Sequence, residues 1–178
     1  MLFRSAGLLI LFLVAGCAEK PVDIENKSEL TIGLGRDFYY GPEDRTFLHG
    51  STNVWESLTY LDEKLEAEPW LAESFTSSPD GKVWTFQLRE GVTFHDGSAL
   101  DAETVQKNLL RLSQHPATSR AYQDLVEIRV SGPMTVEVEL AVPRPAFPEI
   151  ISYFNSAIFS SRSLEEDGAG LKAPVGTG

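Results

Sequence analysis

The chain has three histidines, His49, His95 and His115, and a single cysteine, Cys17. His95 stands beside Asp96, a pairing that can form half of a metal site or a general base held by a carboxylate. Asp96-Gly97 is also turn chemistry, and no two of the histidines have ligand-like spacing. A metal centre is therefore not expected, and one cysteine excludes an internal disulfide and a multi-cysteine zinc site. Gly33-Leu34-Gly35 invites a dinucleotide reading, but Phe38 takes the place of the third glycine and no helix pattern clearly follows. No Gly-x-Ser-x-Gly elbow and no phosphate loop occurs in the sequence. No catalytic residue is assigned, no cofactor is expected, and an enzyme reading has nothing to stand on. The recognition chemistry that remains is the run Asp37, Phe38, Tyr39 and Tyr40. Its rings can stack on a side chain or a peptide plane, and Asp37 can meet an amine. The run follows Leu30-Thr31-Ile32-Gly33-Leu34, which reads as a strand, and ligands of α/β lobes sit outside the carboxyl ends of strands.

The first residues fix the compartment. Arg4 precedes an uncharged apolar run from Ala6 to Ala15. The run is shorter than the roughly 20 residues a spanning helix needs. It has the length of a signal-peptide core, roughly 7–15 residues. It ends in Val14-Ala15-Gly16-Cys17, which resembles a bacterial lipobox, so Cys17 is the expected lipidation site. Residues 1–16 are then a signal peptide and residues 17–29 a polar tether (AEKPVDIENKSE from Ala18). Residues 30–178 form the domain that follows the tether, which the resemblance described below implies is the N-terminal part of a solute-binding domain. The protein is exported and lipid-anchored to the bacterial membrane, facing the periplasm or the cell exterior. The net charge is −11. An acidic chain lacks the basic footprint that nucleic acid requires, so no nucleic-acid partner is expected.

These groups need elements to position them. Asn53 and Glu56 have helix-start spacing, which predicts a short helix over 53–58. Trp70–Ser74 reads as another short element. Pro79-Asp80-Gly81 is a turn, followed by Lys82–Leu88, in which Trp84, Phe86 and Leu88 alternate with polar residues as a half-buried strand. Glu90-Gly91 and Asp96-Gly97 add turns around Val92-Thr93-Phe94. Asp101 caps a predicted helix over 101–114, with Val105, Leu109 and Leu112 on its apolar face. Val126–Val130 and Thr135–Leu140 alternate strictly around Ser131-Gly132-Pro133, the pattern of an antiparallel hairpin. Prolines 143, 145 and 148 break the next stretch. Phe147, Ile150, Ile151 and Phe154 then predict a short amphipathic helix.

Several blocks resemble one family. Asn53-Val54-Trp55-Glu56-Ser57-Leu58 is similar to the VYEGL signature of the family 5 extracellular solute-binding proteins, the peptide/nickel type. Pro69–Phe75 is similar to PxLAESW, and Asp80–Gly97 to DGxxYTFxLRxGVKFHDG. Asp101–Val105 is similar to TAxDV, and Ala173–Gly178 to APVGTG. The blocks are in order and cover nearly all of residues 30–178.

The resemblance implies an α/β, periplasmic-binding-protein-like type II two-lobed fold. This chain would hold it incomplete: a first-lobe strand and an inserted antiparallel sheet-and-helix subdomain. It puts the loop of Asp37–Tyr40 at the cleft and His95-Asp96 in a turn at a strand end. Gly176-Thr177-Gly178 would lie near the crossover between lobes. It implies a monomer that captures a peptide or related small solute and delivers it to the transmembrane permease subunits of an ABC importer. Nickel stays within range of the resemblance, through a chelator or residues supplied later in the chain. Two other classes compete. One is a truncated remnant, and the other a lipoprotein interaction or sensor module, both without transport activity.

Overall fold

The computed structural model describes residues 55–116, 118–152, 156–167 and 175–177. The predicted strand over 30–34 and the loop after it lie outside these residues.

The turn at Pro79-Asp80-Gly81 joins β3 (Ala72–Ser77) to β4 (Val83–Leu88). Gly81 adopts φ 69°, a left-handed conformation glycine takes without a Cβ clash. Its N–H donates to Ser78 O at 2.8 Å, and Lys82 N–H donates to the Asp80 carboxylate at 3.2 Å. The Ser78 hydroxyl, and after it the Lys82 N–H, hold the Asp80 carboxyl below its usual range.

The predicted hairpin forms as β5 (Leu125–Gly132) and β6 (Thr135–Leu140). The four strands make one antiparallel sheet in the order β3-β4-β6-β5. Register places Trp84 opposite Val138 and Phe86 opposite Val136, so the apolar residues of adjacent strands share a face. Phe86, Leu88, Val136, Val138 and Leu140 are buried there. The other face is polar. Thr135 donates to Gln87 at 2.9 Å, and Arg129 meets Glu127 and Glu139 at 2.7 Å and Glu137 at 3.4 Å. Such exposed ion pairs contribute little each, because solvent screens them.

Helix α1 (Ala102–Gln114) covers the apolar face near β5 and β6. Asp101 caps it as expected, accepting from Thr104 N–H at 2.7 Å. Val105, Leu109 and Leu112 are buried. Gln106 donates to Ile128 O at 2.7 Å, which occupies a carbonyl of the edge strand β5. A 3-10 turn (Ser119–Tyr122) and α2 (Phe147–Ile151) close the core. Phe147 meets Phe86 at 6.4 Å and Tyr122 at 6.3 Å, both edge-on, and Phe75 lies 6.0 Å from Phe86. Burying side chains of this kind is worth about 1.5–3 kcal/mol each. The predicted helix around Phe147–Phe154 is thus present over Phe147–Ile151, while Phe154 lies outside the described residues.

The predicted helix over 53–58 is corrected by the structure. Trp55–Leu58 is not helical, and Thr59 already begins β1 (Thr59–Leu61), paired with β2 (Ala67–Pro69). The carbonyls that a helix would consume are taken by distant partners. Glu56 O accepts from Ile158 N–H at 2.8 Å, Ser57 O from Leu71 N–H at 3.1 Å, and Leu58 O from Trp70 N–H at 3.0 Å. Tertiary pairing overrides a weak local preference here. Residues 53 and 54 lie outside the described residues. The element expected at Trp70–Ser74 is the entry into β3.

Candidate functional site

The described pieces of four sequence blocks meet at one corner, beside the N-terminal half of α1 and α3 (Ser161–Asp167). Asn108 points from α1 into this corner and is fully buried. Its amide donates to Phe159 O at 2.8 Å and to Thr104 O at 2.9 Å, and its carbonyl accepts from Phe159 N–H at 3.0 Å. Trp55 packs edge-on against Phe159 at 5.3 Å, and the Arg111 guanidinium lies over the same ring at 5.3 Å. Thr104 and Ser161 share a hydrogen bond of 3.0 Å. Ser160 N–H donates to Val175 O at 3.0 Å, and Val175 N–H to Ser163 Oγ at 3.0 Å.

The segment 175–177 is held from two further sides. His95 N–H donates to Gly176 O at 2.9 Å. The Thr177 hydroxyl donates to the Glu56 carboxylate. His95 therefore contributes a backbone group to this corner. Its neighbour Asp96 is a turn carboxylate, accepting from the Ser98 hydroxyl at 2.6 Å and the Ser98 N–H at 3.0 Å. Those bonds hold the Asp96 carboxyl below its usual range. Gly97 takes φ 83° in the same turn.

The chemistry available here is positional. Hydroxyls, amides and carboxylates pair with backbone groups, and among the described residues no group of three or more His, Cys, Asp or Glu is placed to hold a metal ion. An open groove of about 600 Å³ runs between the C-terminal half of α1 and α3, past Leu110, Gln114 and Leu164. Lys107 reaches across it to Glu165 at 3.3 Å.

The sequence-selected ligand residues Asp37, Phe38, Tyr39 and Tyr40, and the lipidation candidate Cys17, lie outside the described residues. Sequence reasoning missed Asn108, Glu56 and Thr177 as structural partners. Asn108 had a signal: it is a polar residue three positions after Val105 and four before Leu112, on the apolar side of a predicted helix. Nothing in the spacing of Glu56 and Thr177 could have paired them.

Residues 66–178 match the model of the bacterial extracellular solute-binding proteins, family 5, middle. The chain is 30% identical over 178 residues to the glutathione-binding protein GsiB of Shigella dysenteriae, covering 96% of this chain and 34% of that protein. It thus spans about a third of the length of such relatives. Among solved structures, it is similar to a nickel ABC transporter protein from Bacillus halodurans, with TM-score 0.60 and 37% identity over 69% of this chain and 25% of that one. It is also similar to DppA of Helicobacter pylori, solved with the peptide STSA, with TM-score 0.62 and 26% identity over 77% of this chain and 33% of that one. These neighbours are two-lobed binding proteins, and the chain covers part of their fold. The relatives are substrate-binding proteins rather than enzymes. With the family model covering more than half of its residues, the chain belongs to the family 5 bacterial extracellular solute-binding proteins.

Proposed function

We propose that this chain is the N-terminal part of the solute-capturing lipoprotein of an ABC importer. Its cargo is a peptide or another small amine-bearing solute, or a nickel chelate, handed to a membrane permease. The family match over residues 66–178 is the observation that supports this reading most. The cargo classes follow relatives whose names or bound ligands are glutathione, the peptide STSA and Ni(L-His). In this reading Cys17 carries the lipid, residues 17–29 are the tether, and the protein works as a monomer outside the cytoplasmic membrane. Asp37, Phe38, Tyr39 and Tyr40 contact the solute: the aromatics sandwich its flat groups and Asp37 pairs with its amine.

The test is calorimetric titration of the full-length gene product with glutathione, di- and tripeptides, and nickel with L-histidine. Saturable binding of one class, weakened by Asp37→Ala, is expected. No binding of any class by a folded protein overturns the proposal. Metabolic labelling with a radioactive fatty acid tests the anchor, and label that persists in Cys17→Ser removes Cys17 from it.

A further inference from the structure

Three passages of chain that are remote in sequence run side by side at the corner described above. Residues 56–58 lie next to 158–160 through the bond from Ile158 N–H to Glu56 O at 2.8 Å. Residues 158–160 lie next to 175–177 through the bond from Ser160 N–H to Val175 O at 3.0 Å. Glu56 spans all three, because its carboxylate accepts from the hydroxyl of Thr177, 121 residues away. His95 N–H holds the carbonyl of the intervening Gly176 at 2.9 Å. Glu56 and Thr177 are only partly buried, and neither belongs to the apolar cluster around Phe86. Leu58 and Val175 of the two joined passages do meet that cluster, so the bond lies beside the core rather than in it. Its geometric effect is to fix where, and in which direction, the polypeptide passes Thr177 relative to the passage through Glu56.

We propose that Glu56 and Thr177 are positioning residues for solute capture: their hydrogen bond locks the passage 175–177 onto the passage 56–58. This rests on the binding-protein reading above. Most of the length of the relatives lies outside the matched third, so on that reading part of the solute site comes from elsewhere in the protein and has to be held against this unit. A charge-assisted bond at such a passage sets the geometry before the solute arrives, which lowers the ordering cost of binding.

Two arms test it. In the 178-residue chain, hydrogen exchange is compared for the wild type, Thr177→Val, which keeps the shape and removes the hydroxyl, and Thr177→Ser, which keeps it. Exchange at the amides of His95 and Ser160 is expected to speed up about tenfold in Thr177→Val. The serine variant and the amides of β4 and β6 stay at wild-type rates. In the full-length gene product, the Kd for whichever of glutathione or nickel with L-histidine the wild type binds is expected to rise about tenfold in Thr177→Val, with Tm nearly unchanged and affinity restored by serine. Unchanged exchange at His95 and Ser160 overturns the lock. Faster exchange throughout β4 and β6 also overturns it, because the bond would then serve general stability. Faster local exchange with unchanged affinity overturns the positioning role. A wild type that binds neither probe counts against the proposed cargo, while the exchange arm still decides the lock.

Discussion

Asn108 pairs with the backbone of Phe159 in both directions, donating to its carbonyl at 2.8 Å and accepting from its N–H at 3.0 Å. A buried side-chain amide thus does for residue 159 what a neighbouring strand would do. Asn108→Ala leaves that N–H and carbonyl buried without these partners. Each orphaned group costs about 1–3 kcal/mol. We expect Asn108→Ala to destabilise the chain by about 2–4 kcal/mol in urea unfolding. Asn108→Asp should be at least as damaging, because it sets a carboxylate against Phe159 O. An effect below about 0.5 kcal/mol for both variants would show that water replaces the amide and that the corner is looser than described.

Phe86 has no solvent exposure and touches Phe75 and Phe147. Phe86→Ala should cost about 3–5 kcal/mol, enough to exhaust the stability of many domains. Dye binding and loss of near-ultraviolet dichroism would report it. Val126 provides the control, since it is 58% exposed on the edge strand. Val126→Ala should change stability by less than about 0.5 kcal/mol. Comparable losses at both positions would contradict the burial of Phe86 and the exposure of Val126.

Leu65 sits at φ 67°, a left-handed conformation that is costly for a branched residue, and its side chain is 71% exposed. The strain is imposed by the turn around Asp62, whose carboxylate accepts from Lys64 N–H at 2.8 Å and Glu66 N–H at 2.9 Å. Little packing offsets it. Leu65→Asn should therefore raise stability by about 0.5–1 kcal/mol, seen as a higher Tm. A lower Tm would mean that Leu65 makes a compensating contact.

These elements differ in how far the sequence revealed them. The alternation of Trp84, Phe86 and Leu88, and of Val136, Val138 and Leu140, needs only the two-residue period of a strand, and both strands appear where that period places them. Asp101 was legible as a cap because the capping bond is local. The stretch Trp55–Leu58 was misread because its backbone partners, Leu71 and Ile158, are distant in sequence and no local rule reports them. The corner built by Asn108, Phe159, Glu56 and Thr177 escaped for the same reason. The family blocks marked its pieces, but only the fold brought them together. The loop of Asp37–Tyr40 rests on sequence alone.

Tyr122 is 4% exposed, and burial pushes its hydroxyl up to about 12 from an ordinary 10.0, against a smaller opposing effect of the Ser156 hydroxyl at 3.3 Å. The folded value lies above the unfolded one. The stability Tyr122 supplies is therefore complete below pH 10 and is lost as pH rises through about 12. Tyr122 should ionise late in an absorbance titration, and its ionisation should coincide with unfolding. Tyr122→Phe should abolish the late step and flatten the fall of Tm across that window. A late step that survives in Tyr122→Phe would assign it to another tyrosine.

The last prediction concerns binding by the chain alone. A small solute is held by burying most of its surface, about 70–90%. The chain spans 34% of the length of GsiB, so on the proposed reading it carries only part of the wall around the solute. Removing the opposing contacts lowers affinity twice: fewer groups touch the solute, and no closure excludes water from those that do. A polypeptide of residues 17–178 should therefore fold around the Phe86 cluster yet bind glutathione, short peptides and nickel with L-histidine poorly or not at all. Micromolar or tighter binding by that polypeptide would mean that a complete site lies within it, and the loop of Asp37–Tyr40 would be the first place to substitute.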